Sequence, residues 1–277
     1  HPLWDACESE MKIRLLSEVF AVLVVSALLS VQSQAELPNG AKRIHVFVAL
    51  CDNDSQGIVP VSKKIGNGDD PENNLYWGCS DGLESYFSKS SKWTLLSKEK
   101  DVSTTILRRY IFEHKASKSV LVADAYRGKE IKNCLEEFLG ATEGGFAAEI
   151  EVKRLGNLKF GGDSDLVAYI GHNGLMEHRI AAKKTNAETT VRDAVVLCCV
   201  SNSYFSRRLK QAGTRPVLMT DQLMYPGSFA LHGALESWFN GGSVKEIREA
   251  AAVPMAKNQR ISVKAARGIF TDLEKSE

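Results

Sequence analysis

The hydrophobic positions of the chain fall into short unbroken runs, separated by stretches in which apolar residues recur every three or four positions. Residues 43–50 (RIHVFVAL), 120–125 (VLVADA), 166–170 (LVAYI), 194–197 (AVVL) and 216–220 (PVLMT) are rich in β-branched side chains and nearly free of charge. Runs of this kind predict strands covered on both faces, as in a parallel sheet. A further strand is expected around residues 93–96 (WTLL).

Helices are predicted over residues 82–89, 129–139, 202–212, 228–239 and 243–252. In residues 129–139 the apolar set is Ile131, Cys134, Leu135, Phe138 and Leu139, one stripe of an amphipathic helix. Residues 104–114 read the same way, from Leu107, Tyr110 and Ile111. Strand and helix in alternation predict βαβ units, and right-handed crossovers place helices on both faces. The expected fold class is therefore α/β, a three-layer sandwich with a mainly parallel central sheet, in one domain over residues 44–277. Residues 140–162 carry two Gly-Gly pairs and no sustained period, as a loop or a short hairpin would. Residues 51–78, rich in Asn, Asp, Gly and Pro, form a connection long enough to be functional or mobile.

The N-terminal pattern is of another kind. Met11-Lys12-Ile13-Arg14 is a basic start, residues 19–31 are apolar, and Ser33-Gln34-Ala35 is a small-x-small cleavage site. Together they predict a secretory signal peptide over residues 11–35, cleaved near Ala35, and export to the periplasm or outside the cell. A membrane anchor would need about 20 apolar residues, so no stable span is expected after cleavage. Residues 1–10 precede the better start at Met11 and are set aside as an upstream extension; residues 36–43 read as a linker.

Composition changes this picture little. Of 277 residues 44% are hydrophobic, enough for a substantial core, and 35 Lys+Arg against 34 Asp+Glu leave a net charge of +1. No basic or aromatic-interleaved patch argues for a nucleic-acid partner, and no acidic tail for a disordered one. Export matters more for the cysteines. Beyond Ala35 they are Cys51, Cys79, Cys134, Cys198 and Cys199, an odd set, so at least one thiol is expected to stay free. Cys51 and Cys79 could pair; Cys134 reads as a small core residue, and a vicinal Cys198-Cys199 bond would be strained.

Candidate chemistry gathers where two of the strands end. Residues 166–170 run into Gly171-His172-Asn173-Gly174, and residues 194–197 into Cys198-Cys199-Val200-Ser201-Asn202-Ser203. If the strands are neighbours, His172 and Cys199 meet at the carboxyl edge of the sheet, where open α/β folds collect their ligands. A His within reach and the N-terminus of the following helix, capped by Ser201 or Asn202, would both favour a thiolate at Cys199.

These two motifs resemble the His and strand-Cys motifs of the caspase, legumain and gingipain superfamily of cysteine peptidases. The resemblance covers residues 44 to about 240 in the order of elements, and two short motifs in letters. It implies a caspase-like fold, His172 as general base and Cys199 as nucleophile, because the Val-Ser-Asn-Ser after Cys199 matches the family's turn. It implies a peptide or protein substrate, an acyl-enzyme route with no cofactor, and an oxyanion held by the Cys199 N–H and one from the Asn173-Gly174 turn. Asp221, Met224 and Tyr225 fall where the family builds its substrate pocket, Asp221 being suited to a basic side chain. The family has Gly directly after the His; here Asn173 intervenes, a residue tolerant of left-handed conformations.

Two other classes fit parts of the sequence. A non-enzymatic exported binding module would keep the fold and use residues 51–78 as its contact. A metal-dependent hydrolase finds weaker support: a zinc site from His172, His178, Cys198 and Cys199 would need adjacent cysteines on one ion, and no CxxC is present. Residues 52–57 (DNDSQG) imitate a calcium loop, but its twelfth position is Lys63 where a Glu is required. His178 and His232 read as surface or packing residues.

Overall fold

A computed structural model describes residues 36–182 and 191–275. The expectations placed on residues 1–35 lie outside the described residues. In chain order the elements are β1 (Arg43–Ala49), α1 (Leu83–Lys89), β2 (Trp93–Lys100), β3 (Ile106–His114), β4 (Val120–Tyr126), α2 (Ile131–Thr142), β5 (Ala147–Val152), β6 (Gly156–Gly161), β7 (Leu166–Ile170), β8 (Asp193–Leu197), α3 (Ser201–Gln211), β9 (Arg215–Leu218), α4 (Ser228–Phe239), α5 (Val244–Gln259) and α6 (Val263–Arg267).

Seven strands form one sheet in the order β2-β3-β4-β1-β7-β8-β9. From β4 to β9 every neighbouring pair is parallel, and β2 and β3 add an antiparallel flank. The β-branched runs occupy the centre because that position buries both faces. Along β1, Val46 and Val48 point into one core with Leu83 and Phe87 of α1, Leu231 of α4 and Met255 of α5, while Phe47 and Ala49 point into another with Leu135 and Phe138 of α2 and Phe205 of α3. Helices therefore cover both faces, and the mainly parallel α/β architecture is as expected. Residues 140–162 resolve into the end of α2 and a separate β5-β6 hairpin.

One expected helix is a strand. Residues 104–114 form β3, paired to β2 and β4. The helical rhythm came from a bulge: the register with β4 shifts between Ile106 and Arg108, which inserts a residue and turns the strand's two-residue spacing into three. Leu107, Tyr110 and Phe112 thus share one core although their spacing is mixed. The 243–252 helix also runs further than expected, to Gln259, through Pro254.

The segment over residues 51–78 has little regular structure but is tightly held. Asn74, fully buried, receives the Cys51 N–H at 3.0 Å and the Tyr76 N–H at 3.1 Å on its carbonyl, and donates to the Cys51 and Asn67 carbonyls at 2.8 and 3.0 Å. Gln56 donates to the Leu50 and Gly128 carbonyls at 2.8 and 2.9 Å, and Asn53 exchanges two bonds with the Val61 backbone. Side-chain amides here do what a ladder does in a sheet.

Candidate functional site

Register decides the meeting of the two strand ends. Ile170 pairs with Leu197 as the last residues of β7 and β8, and the Gly171 N–H donates to the Leu197 carbonyl at 3.3 Å. His172 and Cys199 each lie two residues beyond that pair, on adjacent parallel strands. Asn173, fully buried, closes the gap by donating from Nδ2 to the Cys199 carbonyl at 2.8 Å. The register therefore sets His172 and Cys199 at neighbouring strand ends on the carboxyl edge.

Each residue is fixed by its surroundings. The His172 carbonyl accepts from the Tyr169 hydroxyl at 2.7 Å and from the Gly174 N–H at 2.9 Å. That second bond makes an inverse γ-turn with Asn173 at its centre, at φ −77° and ψ 79°. Any L-residue adopts this conformation, so the left-handed turn anticipated for Asn173 is not formed. Gly174 is required for packing: a Cβ there would lie 2.9 Å from the δ-methyls of Ile131 and Leu135 on α2. The Gly174 N–H is used on His172, so of the Asn173-Gly174 turn expected to supply an oxyanion donor, Gly174 is already engaged.

The ring of His172 is held by a residue that sequence reasoning did not single out. Its Nε2 lies 3.0 Å from both carboxylate oxygens of Glu177. Glu177 follows a single 3₁₀ turn, Gly174–Met176, that brings the chain back over the imidazole. The signal was present in Gly171-His172-Asn173-Gly174-Leu175-Met176-Glu177, a carboxylate five residues past a strand-terminal His. Gly57 lies against the same carboxylate, where an added Cβ would stand 2.5 Å from Glu177 Oε1. The pinned segment over residues 51–78 thus borders the site.

Cys199 is half-buried, whereas Cys198 points into the core beside Phe205 and Met219. Burial, then the neighbouring Cys199, pushes the Cys198 thiol well above its ordinary value, and burial does the same for Cys134. Burial of this kind disfavours the thiolate that a nucleophile needs. The Cys199 sulfur receives the Met224 N–H at 3.4 Å and lies 3.6 Å from the Met224 carbonyl. Met224 thus meets the site through its backbone. All five described cysteines are free thiols, Cys51 and Cys79 included. Cys51 is pushed up to about 11 by burial, against a lowering hydrogen bond from Tyr76.

The turn after Cys199 differs from expectation. Neither Ser201 nor Asn202 caps α3; the N-cap is Val200, left-handed at φ 46° and ψ 39°. A β-branched residue there is strained, by about 1–2 kcal/mol. The turn is imposed from outside. Ser201 Oγ donates to the Val196 carbonyl at 2.9 Å, the Thr220 hydroxyl donates to the Cys198 carbonyl, and the Val200 N–H donates to Gln222 at 3.0 Å. The N–H groups of Ser201 and Asn202 are used on Thr220, so α3 faces the thiol with its dipole rather than with open donors.

Of the expected pocket residues, Asp221 is exposed and its Oδ1 accepts from Asn202 Nδ2 and Thr271 Oγ1, both at 2.9 Å. It braces the loop after β9. The carboxylate beside Tyr225 is instead Asp81: burial first, then the charge of Asp81, raises the Tyr225 phenol. His232 packs between Tyr86 and Phe87, its Nε2 2.8 Å from Ser90 Oγ. Among the described residues no group of three or more His, Cys, Asp or Glu is placed to hold a metal ion, and no helix is long and apolar enough to cross a membrane. Asp52 of the calcium-like loop accepts from Ser55 Oγ and the Asp54 N–H. The chain matches no protein-family model, no curated protein and no solved structure.

Proposed function

We propose that this chain is a cysteine-dependent hydrolase of caspase-like fold, cleaving a peptide or amide bond with His172 and Cys199. The observation that carries the reading is the register of β7 and β8, which sets both residues two positions past one paired rung, with Asn173 bonded across to Cys199. Glu177 holds Nε2 of His172, leaving Nδ1 for the thiol proton. The thiolate of Cys199 attacks the carbonyl carbon, and the N–H of Cys199, with that of Asn173 in place of Gly174, faces the oxyanion. The C–N bond breaks as His172 gives its proton to the leaving amine. Water, deprotonated by His172, then hydrolyses the thioester and restores the thiol. Glu177 acts as the third group, fixing the ring and stabilising the imidazolium. Export, proposed from residues 11–35, would place this chemistry outside the cytoplasm on a peptide or protein substrate.

The test compares wild type with Cys199→Ala on a broad peptide library, alongside alkylation of each thiol followed by mass spectrometry. Cys199 should alkylate faster than buried Cys134, with a pH profile that changes in His172→Ala, and Cys199→Ala should lose all hydrolysis. Equal, slow alkylation with no cleavage would instead mark a non-enzymatic binding module that keeps the fold.

A further inference from the structure

Large apolar side chains exposed to water are ordinary when scattered and informative when they converge. Among the described residues the exposed set is Val59, Met176, Val191, Tyr204, Leu223, Val253, Ile261 and Val263. Three of these belong to segments that touch the candidate centre. Met176 directly precedes Glu177, the partner of His172. Leu223 directly precedes Met224, whose N–H and carbonyl meet the Cys199 sulfur. Val59 stands two residues from Gly57, which lies against Glu177.

Loose loops would fold such residues inward; these three are held outward. Val59 is 87% exposed although the segment is tied at Val61 by both backbone bonds to Asn53. Leu223 is 75% exposed between Gln222, whose carbonyl accepts the Val200 N–H, and the anchored Met224. Met176 is 42% exposed while its N–H is fixed on the Asn173 carbonyl at 3.1 Å. Apolar groups on pinned backbone are prepaid for burial by a ligand, since little ordering remains to be done on binding.

We infer that Val59, Met176 and Leu223 are specificity-determining residues that select peptide substrates carrying apolar side chains on both sides of the scissile bond. Val59 and Met176 serve the His172 side, and Leu223 the Cys199 side. The inference rests on the hydrolase reading and names its substrate class. Losing one such contact lowers kcat/KM on a matched substrate by about tenfold, with little change for a substrate lacking the side chain.

The experiment profiles the full chain, as wild type, Val59→Ser, Met176→Ser and Leu223→Ser, on paired peptides flanked by leucine or by serine at the cleavage point. Iodoacetamide alkylation of Cys199 is followed in parallel as a readout independent of peptide recognition. The expected result is a wild-type preference for leucine-flanked peptides, a drop of about tenfold per substitution on those alone, and unchanged alkylation. Cleavage indifferent to the flanking residue, or an equal loss on both peptide types, overturns the inference and leaves the hydrolase standing. An inert Cys199 with no cleavage of any peptide overturns both.

Discussion

Two histidine–carboxylate pairs in this protein share a geometry and differ in everything else. His45 Nε2 lies 3.0 Å from Asp124, and His172 Nε2 lies 3.0 Å from Glu177. The first pair is fully buried in mid-sheet: His45 lies against Phe47 with ring centroids 4.1 Å apart, and Arg109 from β3 closes on Asp124 with two bonds of 2.7 and 2.8 Å. The second sits at a strand end, its carboxylate open to water and its ring beside a strand that ends in a half-buried thiol. A histidine–carboxylate pair is therefore not a signature of chemistry. What separates them is position: the second lies at the carboxyl edge, where open α/β sheets collect their ligands, next to a strand end that carries a half-buried thiol.

Substitution should split the pairs cleanly. Asp124→Asn leaves a buried guanidinium without its counter-charge and turns one of the two acceptor oxygens into a donor, and is expected to cost about 3–5 kcal/mol in urea-denaturation stability. Glu177→Gln, at an exposed carboxylate, should leave the unfolding midpoint unchanged and lower kcat by up to about a hundred- to ten-thousandfold, the scale of lost general acid–base catalysis. The reverse pattern would mean that the roles have been exchanged.

Acid should separate them further. Burial pushes Asp124 up, but hydrogen bonds from His45 and Arg109 and the charge of Arg109 outweigh it, so its carboxyl lies below the ordinary value. A depressed carboxylate contributes its stability above the unfolded value, near pH 4, and loses it as pH falls through the folded one. Thermal unfolding from pH 6 downward should show the wild type losing stability below about pH 4 and Asp124→Asn lacking that component. The smallest effect is expected beside Cys199. Val200→Gly relieves about 1–2 kcal/mol of left-handed strain and loses about 0.5–1 kcal/mol through glycine's freedom in the unfolded chain, so the unfolding midpoint should rise only slightly.

The same contrast marks what the sequence makes legible. Central strands announce themselves because burial on both faces demands uninterrupted β-branched residues, and His172 and Cys199 were visible as the residues on which two such runs stop. Residues 104–114 were misread because a bulge imitates helical spacing over so short a stretch. Glu177 was missed because a carboxylate five residues past a His does not by itself say that the chain turns back onto the ring; that depends on Gly174 fitting under Ile131 and Leu135 of α2. Asp221 was singled out because it falls where the resembled family builds its pocket, whereas the carboxylate beside Tyr225 is Asp81, from a segment far earlier in the chain. The order in residues 51–78 leaves no periodic trace, since its bonds run from individual amide side chains to scattered backbone groups.

That last arrangement bears on how the chain can vary. Connections without helix or strand ordinarily accept added or deleted residues, because their backbone groups are satisfied by water. Here Asn53, Gln56 and Asn74 count residues: Asn53 must face Val61, Gln56 must span from Leu50 to Gly128, and Asn74 must meet both backbone groups of Cys51. A single insertion would put all three out of step, so this irregular segment is as length-restricted as a strand in mid-sheet. Diversity among descendants of this sequence should accumulate by exchanging exposed side chains such as Val59, at constant spacing, rather than by lengthening the loop.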